Sequence, residues 1–343
     1  MKLRDKFSTA ARLAWVVVLL VCVAACPQWA RAQSGDEEVV RVESSLVRLN
    51  VGVVDTKGRP VTDLARGDFV VYEDGVRQPV MSFEPTQSPF SLVLLLDVSG
   101  STINFRQTLK QSALRFIDAL GPDDRVAVVA FNERRKLLTK FTPDRNKIAW
   151  GIESAEGRGG TNLYDALGYA LQQLAAEGSR RKAIIVLTDG LDTEMRNLDR
   201  AAAADARTDD EALATVKPEA SKPLNRVLDA ADRQGVTIYP LILPSGDPKS
   251  LAFHTPQITA IYGAARVRVQ TLADRTGGRL SEIRRLEDLG RLYAEVAADM
   301  RTLYSLAYQP VAGRGRDGRW RSIRIEVSRA ELLARTRPGY FAR

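Results

Sequence analysis

Cysteine is almost absent from this 343-residue chain: there are two, Cys22 and Cys26, both near its start. Everything downstream lacks a thiol, which excludes disulfides, thiolate metal sites and cysteine nucleophiles there. Histidine is scarcer still. His254 is the only one, so a multi-histidine zinc site cannot form and histidine-dependent triads are disfavoured. Its flanking Pro248 and Pro256 mark an ordinary loop position. Aromatic residues make up 7% of the chain, and no stretch interleaves them with cations as a nucleic-acid surface would. The formal charge of +8 is also less than it looks. Half of it lies in residues 1–32, where Lys2, Arg4, Lys6, Arg12 and Arg31 face only Asp5. The remaining 311 residues carry +4, a mildly basic surface that gives no support for a nucleic-acid partner.

Those first 32 residues read as an export signal. A positive segment precedes the apolar run 13–25, which is of signal-peptide length and too short to span a bilayer comfortably. Ala30-Arg31-Ala32 is a small-x-small cleavage site that would leave Gln33 as the first mature residue. Val23-Ala24-Ala25-Cys26 resembles a bacterial lipobox, in which Cys26 would be lipidated. The protein is therefore expected outside the cytoplasm, periplasmic or secreted, with any membrane attachment made through a lipid anchor.

The rest divides into three parts. Residues 39–88 form a β segment: Val47, Leu49, Val51 and Val53 alternate with more polar or smaller neighbours, and Glu73-Asp74-Gly75 is a hairpin turn into a strand over 76–83. Pro85 and Pro89 mark a boundary. Over 90–303 strands alternate with helices, which predicts a doubly wound, mostly parallel α/β sheet. Within it, 193–222 is charged and alanine-rich without clean periodicity, and reads as a surface insertion that is partly helical at most. Residues 304–343 turn to β again. The economical geometry is one small β-sandwich built from 39–88 and 304–343, with the α/β domain inserted into it. Three local expectations go with this. Ser179-Arg180-Arg181-Lys182 reads as a solvated helix end, Asp123-Asp124 as a loop after Pro122, and Trp320 as core of the β module.

The chemistry is concentrated in three segments. The apolar run 92–96 delivers Asp97-Val98-Ser99-Gly100-Ser101 to its C-terminal end; Gly159-Gly160-Thr161-Asn162 precedes a helical stripe; Leu187-Thr188-Asp189-Gly190 ends a second apolar run. In an open parallel sheet, ligands bind outside the carboxyl ends of the strands, so all three segments can converge on one edge. Two carboxylates and three hydroxyls suit a hard divalent cation and leave one of six positions open. Gly100 is expected to fold its loop tightly enough to aim both serines inward, and Gly159 and Gly160 to do so for Thr161. Asp97 and Asp189 could alternatively serve as turn or cap residues in a metal-free fold.

Together these segments resemble the metal-ion-dependent adhesion site of von Willebrand factor type A domains, over about residues 90–300. The flanks, with Asp68-Phe69-Val70-Val71-Tyr72-Glu73-Asp74-Gly75, Tyr308-Gln309-Pro310 and Arg337-Pro338-Gly339-Tyr340, resemble exported proteins carrying the acidobacterial type A-related domain. The resemblance implies that Ser99 and Ser101 ligate Mg2+ directly, with Mn2+ or Ca2+ as alternatives. Asp97, Thr161 and Asp189 would ligate directly or through water. An acidic side chain of a protein partner would take the open position, and movement of the last helix, over 286–302, would accompany binding. The expected function is a metal-dependent adhesion or scaffolding module. A metal-independent structural envelope protein is the alternative. A magnesium-dependent hydrolase is less favoured: no histidine is placed as a base, Ser99 holds the place of a phosphatase's second aspartate, and Thr102 that of the lysine in a Ser-x-x-Lys motif. The chain is therefore read as not an enzyme.

Overall fold

The computed structural model describes residues 46–217, 220–243, 255–283, 285–310 and 317–343. The leader, with Cys22 and Cys26, and also His254, lie outside the described residues. In chain order the strands and helices begin with β1 (Val47–Val54), β2 (Phe69–Glu73), β3 (Val76–Gln78), β4 (Val80–Glu84), β5 (Phe90–Asp97), α1 (Arg106–Asp118), β6 (Arg125–Phe131) and β7 (Arg135–Thr142). They continue with α2 (Arg145–Glu153), α3 (Leu163–Ala175), β8 (Arg181–Thr188), α4 (Thr193–Ala202), α5 (Asp209–Thr215), α6 (Lys222–Gln234) and β9 (Val236–Ile242). The last are α7 (Pro256–Thr276), β10 (Ser281–Glu282), α8 (Leu289–Thr302), β11 (Leu303–Tyr308), β12 (Trp320–Val327), β13 (Leu333–Arg335) and β14 (Gly339–Phe341).

A six-stranded sheet in the order β10-β9-β8-β5-β6-β7 forms the centre. All its pairs are parallel except that of the edge strand β7 with β6. The central strands are buried on both faces, hence their continuous apolar runs. Within β5, Leu92, Leu94 and Leu96 face α1, α2 and α8, while Val93 and Leu95 face α3 and α6. This is the doubly wound α/β class the alternation predicts. Helix ends follow ordinary capping chemistry. Asp144 and Asp192 accept the first N–H groups of α2 and α4. Gly235 closes α6 in a left-handed conformation.

The outer β segments form two four-stranded sheets, β13-β1-β11-β4 and β14-β12-β2-β3. Val47, Leu49, Val51, Phe69, Val71, Tyr304 and Leu306 share one core. The hydroxyls of Tyr308 (2.6 Å) and Tyr340 (2.8 Å) both donate to the buried Glu73 carboxylate, tying β11 of one sheet to β2 and β14 of the other. α8 passes into β11 without an intervening residue.

Three expectations are corrected, and a fourth, the partly helical segment 193–222, is refined. The strand over 76–83 is two strands in different sheets, because Pro79 cannot continue the ladder and the chain crosses between sheets there. The segment 193–222 holds α4 and α5, which pack through Ala203 and Ala212 onto Ala260 of α7. Asp199 of α4 forms a buried bidentate pair with Arg268 of α7 (2.7 and 2.5 Å). Small alanines and a charge pair bury these helices, so no apolar stripe announces them. Arg181 and Lys182 begin β8 and are buried, not a solvated helix end. The Arg181 guanidinium donates to the carbonyls of Met300 (3.1 Å) and Leu303 (2.7 Å), and also to that of Ser88. Trp320 lies at the sandwich margin, 37% exposed, under the Arg275 guanidinium.

Candidate metal centre

Asp97 is the last residue of β5, and its side chain is 2% exposed. Its Oδ1 accepts the Ser99 N–H (2.9 Å) and its Oδ2 accepts the Thr188 hydroxyl (2.8 Å). The first bond turns the chain sharply, so Ser99 and Ser101 come to the same side, their hydroxyl oxygens 3.2 Å apart. Thr102 secures the turn by donating to the carbonyls of Asp97 and Ser99, 3.0 Å each. Arg106 clamps it from outside through the carbonyls of Val98 (3.0 Å) and Gly157 (2.9 Å).

Asp189 follows β8 and is 4% exposed. Its Oδ1 accepts the Leu191 N–H (3.0 Å), and the Ser101 hydroxyl is near enough to lower its carboxyl pKa. Thr161 is buried in the loop before α3. That loop is held on both sides. Gly100 N–H donates to the Gly159 carbonyl (3.0 Å), while Thr161 N–H donates to the Thr193 hydroxyl (2.9 Å) and the Thr161 carbonyl accepts Thr193 N–H (2.8 Å). The structure therefore brings Asp97, Ser99, Ser101 and Asp189 into direct interaction and fixes the Thr161 loop against them.

The glycine requirement differs from expectation at Gly100 alone. A Cβ on Gly100 would make only ordinary contact, 3.5 Å from the Gly159 carbonyl oxygen. Gly159 and Gly160 are the constrained positions, as expected: at Gly159 φ is +95° and a Cβ would lie 2.9 Å from Glu133 Oε1, and a Cβ on Gly160 would lie 2.8 Å from Thr193 Oγ1. Glu133 Oε1 also accepts the Gly160 N–H at 2.8 Å. Glu133, Thr188 and Thr193 were not singled out by pattern. Thr188 sits inside the quoted Leu-Thr-Asp-Gly segment; the other two act through tertiary contact.

The electrostatics suit a cation. Burial, and then the negative charge of Asp189, push the Asp97 carboxyl up to about 7, against hydrogen bonds from Ser99 and Thr188 that lower it. Burial also raises Asp189, opposed by Ser101 and the Leu191 N–H. Neither carboxylate forms an ion pair among the described residues, and Arg196 acts on Asp189 only at a distance. Two neighbouring buried acids without a counter-cation, beside two hydroxyls on the same side, form an all-oxygen donor set that fits a hard divalent ion. No cluster of three or more His, Cys, Asp or Glu side chains suited to a metal occurs among the described residues. The candidate centre instead combines two carboxylates with hydroxyls.

The fold is an α/β fold of the von Willebrand factor A type, with a mostly parallel central sheet and flanking helices. Residues 92–191, which hold all five candidate ligands, match the family model described as von Willebrand factor type A domain. The uncharacterized protein sll0103 of Synechocystis is 39% identical over 107 residues, 30% of this chain and 25% of that protein. The voltage-dependent calcium channel subunit alpha-2/delta-2 of Homo sapiens is 30% identical over 127 residues, 34% of this chain and 11% of that protein. The matched stretch thus spans a quarter or less of these relatives. Among solved structures, a von Willebrand factor type A protein from Catenulispora acidiphila aligns with a TM-score of 0.45 at 18% identity, covering 76% of this chain and 51% of that one.

Proposed function

We propose that the chain is an exported protein-binding module that recognises an acidic group of a partner through a divalent cation. Mg2+ is the proposed ion, with Mn2+ or Ca2+ as alternatives. Asp97, Ser99, Ser101, Thr161 and Asp189 would hold it. The supporting observation is the pairing of the two buried carboxylates, Asp97 and Asp189, beside Ser99 and Ser101 with no ion pair to neutralise them. When bound, the cation supplies a Lewis-acidic position to which a partner carboxylate can coordinate. The chain's own part is positional: Thr188 and Ser99 N–H orient Asp97, Ser101 faces Asp189, and Gly159 with Glu133 and Thr193 sets the Thr161 loop. The proposal involves no covalent step and so describes a binding module and not an enzyme. Export rests on residues 1–32, with cleavage after Ala32 or lipidation at Cys26. Among the described residues no helix is long and apolar enough to cross a membrane.

The test is a thermal melt of the chain in chelator and in excess Mg2+, Mn2+, Ca2+ or Zn2+, beside the Asp97→Ala variant. A ligand that binds only the folded state stabilises it by about 2.7 kcal/mol at a hundredfold excess over Kd. The expected result is a metal-dependent rise that the variant lacks. No rise with any ion would remove the metal from the proposal and favour a metal-independent structural role.

A further inference from the structure

At the opposite end of β8 from Asp189, a second charged site joins the sandwich to the α/β layer. Lys182 on β8 is 6% exposed. It lines a cavity of about 40 Å³ between the two parts, together with Arg48 of β1, Arg180 and Arg181. Arg180 donates to the carbonyls of Phe90 and Asp123, and Arg181 to those of Met300 and Leu303. Lys182 and Arg48 form no hydrogen bond or ion pair among the described residues. Glu84 is the one carboxylate lining the cavity. Arg48 and Lys182, from separate folding layers, thus meet at a cavity with Glu84 on its wall, while Glu177, which also acts on Lys182, is itself paired with Arg125. Burying a cation without a counter-charge is costly. The cost shows in Lys182, whose ammonium is held below its usual range by burial first and by the Arg48 charge second, against the opposing charge of Glu177.

We propose that this cavity binds a small tetrahedral oxyanion, free phosphate or sulfate, held between Lys182 and Arg48. Its volume suits such an ion. One water needs roughly 10–15 Å³ by the same measure, so the space admits a few waters or one compact anion and excludes an organic phosphate. Ser82 and Ser179, both exposed, lie at its rim and leave the ion a route in from solvent. The anion would bridge β1 to β8 and so stabilise the docking of the sandwich on the α/β layer.

The experiment is thermal unfolding of the full chain, in chelator so that the divalent site plays no part. Sodium phosphate or sulfate is titrated at constant ionic strength, with a bulky organic sulfonate as control. Wild type is compared with Lys182→Met and Glu84→Gln. Kosmotropic anions stabilise proteins generally, but that effect is common to all three proteins and cancels in the difference. For wild type, the expected result is a rise in Tm that sets in near Kd and grows with the logarithm of anion concentration, about a hundredfold gain in the folding equilibrium at a hundredfold excess over Kd. Lys182→Met should lose this rise, and Glu84→Gln should reach it at lower concentration because a repelling carboxylate has gone. Parallel curves for wild type and Lys182→Met would overturn the proposal. So would a Glu84→Gln protein that is destabilised with an unchanged anion response, since Glu84 would then be the counter-ion. If Lys182→Met fails to fold, the Glu84→Gln comparison decides alone.

Discussion

Replacing Asp97 by asparagine should stabilise the metal-free protein at alkaline pH, although it removes a proposed ligand. In the folded protein this carboxyl sits at about 7, against an ordinary value of 3.8. Below the ordinary value it is protonated in both folded and unfolded chains, and the shift costs nothing. As the pH rises, the unfolded chain releases the proton first while the folded chain retains it, so native stability falls until the pH passes the folded value. The full loss from a shift of this size is about 4 kcal/mol. Asparagine avoids it. Its Oδ1 can still accept the Ser99 N–H, but the Thr188 hydroxyl loses its acceptor, at a cost of about 1 kcal/mol. A net gain of about 3 kcal/mol is expected near pH 8, turning into a net loss of about 1 kcal/mol at acid pH. Urea unfolding in chelator at both pH values measures it. In a thousandfold excess of metal over Kd the wild type gains about 4.1 kcal/mol and overtakes the variant. An asparagine variant that is less stable than wild type in chelator near pH 8 would refute this electrostatic account of the site.

Two further outcomes follow from buried charges elsewhere. Arg268→Met leaves Asp199 buried and unpaired and should cost about 3–5 kcal/mol, whereas Arg268→Met combined with Asp199→Leu should recover most of that loss; a double-mutant cycle by chemical denaturation reads both. Arg181→Met strips the guanidinium from the carbonyls of Met300 and Leu303 and should cost about 3 kcal/mol in urea unfolding, while a solvated helix-end arginine would cost almost nothing.

The α/β class was legible because its signals are local. A strand buried on both faces must be apolar without interruption, and the runs 92–96 and 183–187 are. Leu163, Leu167, Ala170, Leu171 and Leu174 mark the buried face of α3 in the same way. The candidate ligands lie at the ends of such segments, so short patterns reveal them. Their supports do not. Glu133 reaches Gly160 from 27 positions away, and Thr193 reaches Thr161 from 32. The burial of Arg181 was illegible for the same reason, since its carbonyl partners Met300 and Leu303 lie 119 and 122 positions along the chain. The helices of 193–222 escaped because alanine contact and one ion pair leave no apolar stripe.

The insertion of the α/β layer between β1 and β11 also sets a timetable for assembly. Asn50 of β1 meets Ser305 of β11 across 255 positions of chain. At a synthesis rate of about 5–20 residues per second, β1 waits on the order of 10–50 s for that partner. The β2–β3 hairpin can close at once, whereas β1 must remain an open edge meanwhile. Its other neighbour, β13, is made later still. The α/β layer can assemble during that interval, and its folding brings the two halves of the sandwich together: α8 runs directly into β11 and delivers it beside β1. The sandwich thus closes last, with the inserted domain acting as the template for its completion.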